Sequence, residues 1–180
     1  MPAPMNVKRA RGMPETDFLE LSWEFFGELC RVLAVKVATD DFVPDLVVGI
    51  AKAGVIPGAV VASILRCDFY SLKISRDTGG TRSRVRPKIL SAAPKDAAGK
   101  RVLVVDEICT SGETMRIALN ALRQVQPEEV RTATSLVKVG GFKPDYYALE
   151  TSATVAFPWD RHVLNDSGEI VTNPMYQDMP

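Results

Sequence analysis

The sequence predicts a three-layer α/β fold, with a mostly parallel central sheet and flanking helices. Three observations predict it. Short, continuous apolar runs such as LVVGI (46–50) and VLVV (102–105) have the character of strands buried on both faces. Longer stretches such as 22–38 and 113–125 repeat their apolar residues at helical spacing. The two kinds of segment alternate, as they do when helices cross over between parallel strands.

The elements follow in order. Residues 1–16 carry basic residues with no apolar core after them. They are therefore expected to form a loose N-terminal tail and not a secretory signal. SWEFFGELCRVLAVKVA, 22–38, predicts a helix capped by Ser22, with Trp23, Phe26, Cys30, Leu33 and Val37 on one face. Pro44 and Asp45 lead into the first core strand, LVVGI. AKAGVIPG turns the chain into a helix from about Pro57 to Leu65. FYSLKI, 69–74, is the next strand. Residues 75–88 are polar, with Gly79 and Gly80 adjacent, and predict a long flexible lid. VLVVDE, 102–107, is the third strand. A helix over 113–125 turns Met115, Ala118, Leu119, Leu122 and Val125 inward. A fourth strand covers 130–137. Short strands at 146–149 and 153–157 lead into a small C-terminal hood segment. There is no internal repeat or low-complexity linker, and 180 residues suit a single domain spanning 1–180.

The composition, 46% hydrophobic and 24% charged, is ordinary for a globular chain. Lys+Arg and Asp+Glu both number 22, so the formal net charge is zero. That balance argues against bulk electrostatic binding to nucleic acid or to an anionic membrane. No apolar run approaches the ~20 residues of a membrane span. Cys30, Cys67 and Cys109 are odd in number and widely spaced, which suggests a reducing cytoplasm, with neither a disulfide framework nor a zinc site.

The stretch with most chemistry is VLVVDEICTSGETM, 102–115. If 102–107 is strand and 113 onward is helix, the loop Cys109–Gly112 lies between a strand's carboxyl end and a helix's N-terminus. Backbone N–H groups point outward there and the helix dipole favours an anion. Thr110, Ser111 and Thr114 add hydroxyl donors, and Gly112 permits close backbone approach. The result is a phosphate cup, yet neither a P-loop lysine nor GxGxxG is present. Asp106 and Glu107 would repel a phosphate but would accept hydrogen bonds from the hydroxyls of an attached sugar. A sugar phosphate accounts for both halves. A strand end with solvated acids and a capped helix would account for the acids alone.

The complete run resembles the phosphoribosyl-pyrophosphate signature of type I phosphoribosyltransferases: four hydrophobic residues, two acids, a short variable stretch, then Thr/Ser, Gly, any residue and Thr. The resemblance implies that Asp106 and Glu107 hold the ribose hydroxyls. It implies that Cys109, Thr110, Ser111, Gly112, Glu113 and Thr114 surround the 5′-phosphate. VVGIAKAGVIPG resembles the family's pyrophosphate loop. That places Ala51, Lys52, Ala53 and Gly54 at the pyrophosphate and implies a non-proline cis peptide at Ala51–Lys52. Lys73 matches a lysine near the pyrophosphate, and Arg82, Arg84, Arg86 and Lys88 match a cationic lid. With Asp106 and Glu107, Lys52 and Lys73 form the implied catalytic set. SLVKVGGFKPDYYALE and FPWD resemble the enzymes for hypoxanthine, guanine or xanthine. In that pattern Lys138 contacts the purine 6-oxo group, Thr154 and Val155 line the base, and Asp160, with Asp106, serves Mg²⁺. The family also implies a homodimer or tetramer acting on small molecules. Trp159 reads as a packing residue and His162 as a surface one. The acids before Cys109 would raise its thiol pKa, against a nucleophilic role.

Two positions depart from the 6-oxopurine pattern. Thr110 stands where an aspartate usually handles the N7 proton, which threonine cannot do at neutral pH. Thr154 stands where an aromatic residue usually stacks on the base. The sequence therefore leaves two alternatives open. One is the same chemistry with another base. The other is a non-catalytic regulator that senses phosphoribosyl pyrophosphate or a nucleotide.

Overall fold

The computed structural model describes residues 18–75 and 87–177. The expectations for the tail 1–16 and for the lid arginines Arg82, Arg84 and Arg86 lie outside the described residues. In chain order the first elements are β1 (Phe18–Glu20), α1 (Trp23–Ala38), β2 (Leu46–Ala51), α2 (Val55–Leu65), β3 (Asp68–Ser75) and β4 (Lys88–Ile89). There follow β5 (Arg101–Cys109), α3 (Glu113–Arg123), β6 (Glu129–Lys138), β7 (Tyr146–Thr151), β8 (Thr154–Ala156), β9 (His162–Leu164) and β10 (Ile170–Thr172). These residues form two compact units, one of residues 27–151 and one of residues 18–26 with 152–177.

The larger unit holds a six-stranded sheet in the order β4-β3-β2-β5-β6-β7. All neighbours pair in parallel except β4, which runs antiparallel to β3. The strands form because their β-branched runs can be buried on both sides. Leu46, Val48 and Ile50 pack with Met115, Ala118 and Leu122 of α3. The alternate residue Gly49 lies under α2, where a Cβ added at Gly58 would be 3.1 Å from the Gly49 Cα. Because strand side chains alternate, α2 and α3 cover opposite faces, and the three layers follow. The chain passes from β2 to β3 on one side and then to β5 on the other. The carboxyl ends of β2 and β5 therefore meet at the point where strand order reverses, the usual place for a ligand in an open parallel sheet.

Several expectations need adjustment. Helix α2 begins at Val55, not Pro57. Pro57 occupies the first turn, where the missing N–H is not needed. Ser22 does cap α1, accepting from the Phe25 N–H at 3.1 Å. Phe26, Cys30, Leu33 and Val37 are buried, but Trp23 is 55% exposed. The two ends of the expected lid are strand residues: Ser75 pairs with Lys88 across β3 and β4. Lys88 is thus a strand residue of β4.

In the smaller unit, β1 pairs in parallel with β8, setting Phe18 beside Thr154 and Leu19 beside Val155. Strands β9 and β10 form an antiparallel hairpin. Trp159 stacks on Phe157 at 4.7 Å and meets Phe26 edge-on at 4.8 Å, the packing role expected of it. No helix among the described residues is long and apolar enough to cross a membrane.

Candidate functional site

The larger unit's site grows from two strand ends. At the end of β2 the chain turns through Ala51, Lys52, Ala53 and Gly54 into α2, with a cis peptide at Ala51–Lys52. Gly54 sits against β5 so closely that a Cβ there would lie 2.7 Å from Asp106 Oδ1 and 2.9 Å from the Asp106 Cα. Glycine at 54 is what lets this turn rest on the acidic strand end. Lys73 is the register partner of Ala51 on β3. Its N–H donates to Ser91 Oγ at 2.8 Å and its carbonyl accepts from the Leu90 N–H at 2.8 Å, so the segment after β4 steadies this edge. The Lys73 side chain is exposed.

At the end of β5, Asp106 is only 7% exposed. Its Oδ1 accepts the Glu107 N–H at 3.0 Å, which orients the carboxylate along the strand end. Glu107 is half-buried. The turn after Cys109 exposes Thr110 and Ser111, and Ser111 Oγ accepts from the Glu113 N–H at 3.4 Å. Gly112 precedes α3 with φ +74°, the left-handed conformation that glycine adopts without penalty. The first turn of α3 follows, with Thr114 buried and Glu113 exposed. An α-helix of this length directs its initial N–H groups and positive dipole end at whatever lies before it.

The two strand ends enclose a cavity of about 160 Å³. Ala51, Lys52, Ala53, Asp106, Glu107 and Thr114 line it, with Ile50 and Ile74 as apolar walls. Residues far apart in sequence are thus brought together. Cys109 is the last residue of β5, not a loop residue, and Thr110, Ser111 and Gly112 lead from it to Glu113, the first residue of α3. Cys109 is 5% exposed.

Lys138 ends β6. Because Cys109 is paired with Val137, the register carries Lys138 alongside Thr110. Burial pushes the Lys138 ammonium below the ordinary lysine range. The turn after it was not foreseen as part of the site. Gly141 N–H donates to the Lys138 carbonyl at 2.9 Å, and Phe142 N–H donates to the Thr110 carbonyl at 2.8 Å. The glycine pair at 140–141 was the only signal for it in the sequence.

In the smaller unit, Thr154 is half-buried and Val155 buried on β8. Asp160 serves as an anchor there: Oδ2 accepts from the Tyr176 hydroxyl at 2.8 Å and Oδ1 from Asn173 Nδ2 at 3.3 Å. Burial, and then the bond to Asp160, push the Tyr176 phenol up to about 12. His162 is exposed.

Comparison with known proteins agrees with this geometry. Residues 21–165 match the family described as the phosphoribosyl transferase domain. A xanthine-guanine phosphoribosyltransferase of Gluconobacter oxydans is 25% identical over 155 residues, covering 84% of this chain and 90% of its own. An orotate phosphoribosyltransferase of a Methylobacterium species is 34% identical over 133 residues, covering 73% of this chain and 63% of its own. The crystal structure of a purine phosphoribosyltransferase from Pyrococcus horikoshii superposes with a TM-score of 0.69 at 25% identity, over 79% of this chain and 93% of that one.

Proposed function

Because the chain belongs to the phosphoribosyl transferase domain family, we propose that it moves the 5-phosphoribosyl group of phosphoribosyl pyrophosphate to a 6-oxopurine in base salvage. The products are a nucleoside 5′-monophosphate and pyrophosphate. The chain is a phosphoribosyltransferase; the base, the residue roles and a cytoplasmic homodimer or tetramer are the parts added by this reading. The observation that carries it is the cavity at the strand-order reversal, where Lys52, Asp106, Glu107 and Thr114 converge.

The reaction breaks the bond between the anomeric carbon and the pyrophosphate oxygen and forms one to a base nitrogen. Positive charge grows on the ribose and negative charge on the leaving group. The loop 110–114 anchors the 5′-phosphate through backbone N–H groups and hydroxyls, which orients the ribose for attack. Asp106 and Glu107 accept from the ribose hydroxyls and set negative charge near the developing cation. Lys52 and Lys73 offset the charge on the departing pyrophosphate. The donor set fits Mg²⁺, which binds through one or two carboxylates plus substrate phosphate oxygens. Asp106 and Glu107 supply carboxylate oxygens on the cavity wall. When bound, the ion supplies Lewis-acid neutralisation of the pyrophosphate. The assignment of Asp160 to the ion predicts that Asp160→Ala raises the Mg²⁺ concentration needed for half-maximal rate.

Lys138 selects the base. A desolvated ammonium has three donors and no acceptor, so it suits a 6-oxo group and leaves donors unpaired against adenine's amine. Thr154 and Val155 supply backbone contacts to the base. A second reading, transfer to orotate, is favoured by Thr110, which brings no proton-handling acid, and by the similarity to an orotate enzyme. A panel of hypoxanthine, guanine, xanthine, adenine and orotate decides between the two. The proposal expects a 6-oxopurine to lead adenine and orotate by about 10-fold or more in kcat/KM. Orotate as the best substrate would overturn it.

A further inference from the structure

Gly112, Gly141 and Phe142 make a contact that has no part in the chemistry above. A Cβ added at Gly112 would fall 2.5 Å from Phe142 Cγ and 2.7 Å from its Cβ. The base of the Phe142 side chain is therefore the surface on which the left-handed Gly112 rests. A Cβ added at Gly141 would fall 2.4 Å from the Thr110 carbonyl oxygen. The same carbonyl accepts the Phe142 N–H at 2.8 Å. The β6–β7 turn thus grips the loop at both ends, at Thr110 by its backbone and at Gly112 by a side chain.

The grip is itself anchored. Phe142 packs against the hydrophobic core beneath α3. The Arg116 guanidinium lies 5.2 Å from the ring centroid, and the Arg116 N–H bonds to the Gly112 carbonyl at 2.9 Å. One residue on α3 therefore touches both partners of the contact. The turn starts at Lys138, whose carbonyl holds the Gly141 N–H.

We propose that Phe142, assisted by Gly141, is the positioning residue of the 5′-phosphate loop. It holds Thr110 and Gly112 so that the loop's N–H groups are aimed before the phosphate arrives. A loop of short polar residues and a glycine has many conformations of its own, and fixing each residue costs about 1–2 kcal/mol of backbone entropy. Phe142 meets that cost in the folded protein and not at the moment of binding. The inference rests on the function proposed above.

Its test uses the two halves of the donor as separate ligands, ribose 5-phosphate and magnesium pyrophosphate, titrated calorimetrically into the full chain. Wild type binds both. Phe142→Ala weakens ribose 5-phosphate by about 10-fold or more and leaves magnesium pyrophosphate within about 2-fold. Phe142→Tyr keeps the Cβ, Cγ and Cδ1 atoms that meet Gly112 and restores affinity. Gly141→Ala gives the same split by pushing on Thr110. Gly141 does not occupy the left-handed region, so the effect there is contact alone, and this variant stands in if Phe142→Ala does not fold. Wild-type affinity for ribose 5-phosphate in both variants would overturn the proposal, as would equal loss of both ligands. Failure of wild type to bind ribose 5-phosphate would instead remove the proposed function.

Discussion

Gly54→Ala perturbs the site with one added carbon and no torsional strain. The added methyl carbon would lie 2.7 Å from both Asp106 Oδ1 and the Ile50 carbonyl oxygen, about 0.7 Å inside the 3.4 Å at which ordinary contact begins. Backbone crowds it as well, since the Asp106 Cα is 2.9 Å away. Rotating one side chain cannot relieve that. Gly54 has φ −64°, a value alanine adopts freely, so no torsional strain confuses the outcome. The turn carrying Lys52 must move off the β5 end. Overpacking of this kind costs about 1–3 kcal/mol of stability. A displacement near 1 Å between groups that must act together can cost about 100-fold in rate. The assay is pyrophosphate release from phosphoribosyl pyrophosphate with a 6-oxopurine, alongside urea denaturation of the same sample. Gly27→Ala is the control: nothing lies within 4 Å of its added Cβ, and alanine favours its helix by up to about 1 kcal/mol. A folded Gly54→Ala protein with wild-type kcat/KM would refute the idea that the two loops must touch for catalysis.

Other expectations follow from single residues. Lys138→Ala should erode the preference for 6-oxopurines over adenine, measured as the ratio of kcat/KM values, by about 10-fold; an unchanged ratio removes Lys138 from base selection. The Tyr176 phenol, raised to about 12 from 10.0 by burial and Asp160, keeps a proton that the unfolded chain releases. Its stabilising contribution is complete below pH 10 and is lost as pH rises through about 12. Urea denaturation at pH 9 and pH 11 should show a steeper loss for wild type than for Tyr176→Phe, and parallel losses would count against that linkage.

The central strands were legible because burial on both faces leaves an unbroken apolar run, as in LVVGI and VLVV. The turn from β5 into α3 was legible because the apolar run gives way to small polar residues and Gly112 before the helical spacing begins. The elements that were missed have no such signal. Strands β1, β4, β9 and β10 are two or three residues long, too short for a period to register. Trp23 fits the apolar face of α1 by spacing, yet lies 55% exposed in the first turn of that helix. The bond from Tyr176 to Asp160 and the grip of Gly141 and Phe142 on Thr110 and Gly112 join positions 16 to 32 residues apart. Contacts of that kind are set by tertiary packing, and local sequence carries no trace of them beyond a glycine pair.

The strand ends of β2 and β5 are proposed to bind phosphoribosyl pyrophosphate and act on it. The direct measurement mixes the protein with phosphoribosyl pyrophosphate, Mg²⁺ and a 6-oxopurine and follows pyrophosphate and nucleoside 5′-monophosphate together. Both products should form one-to-one. Combining Asp106→Asn and Glu107→Gln should cost at least about 10-fold in kcat/KM, about 1.4 kcal/mol. Phosphoribosyl pyrophosphate that binds and is never cleaved with any base would contradict the claim, and so would a double variant as active as wild type.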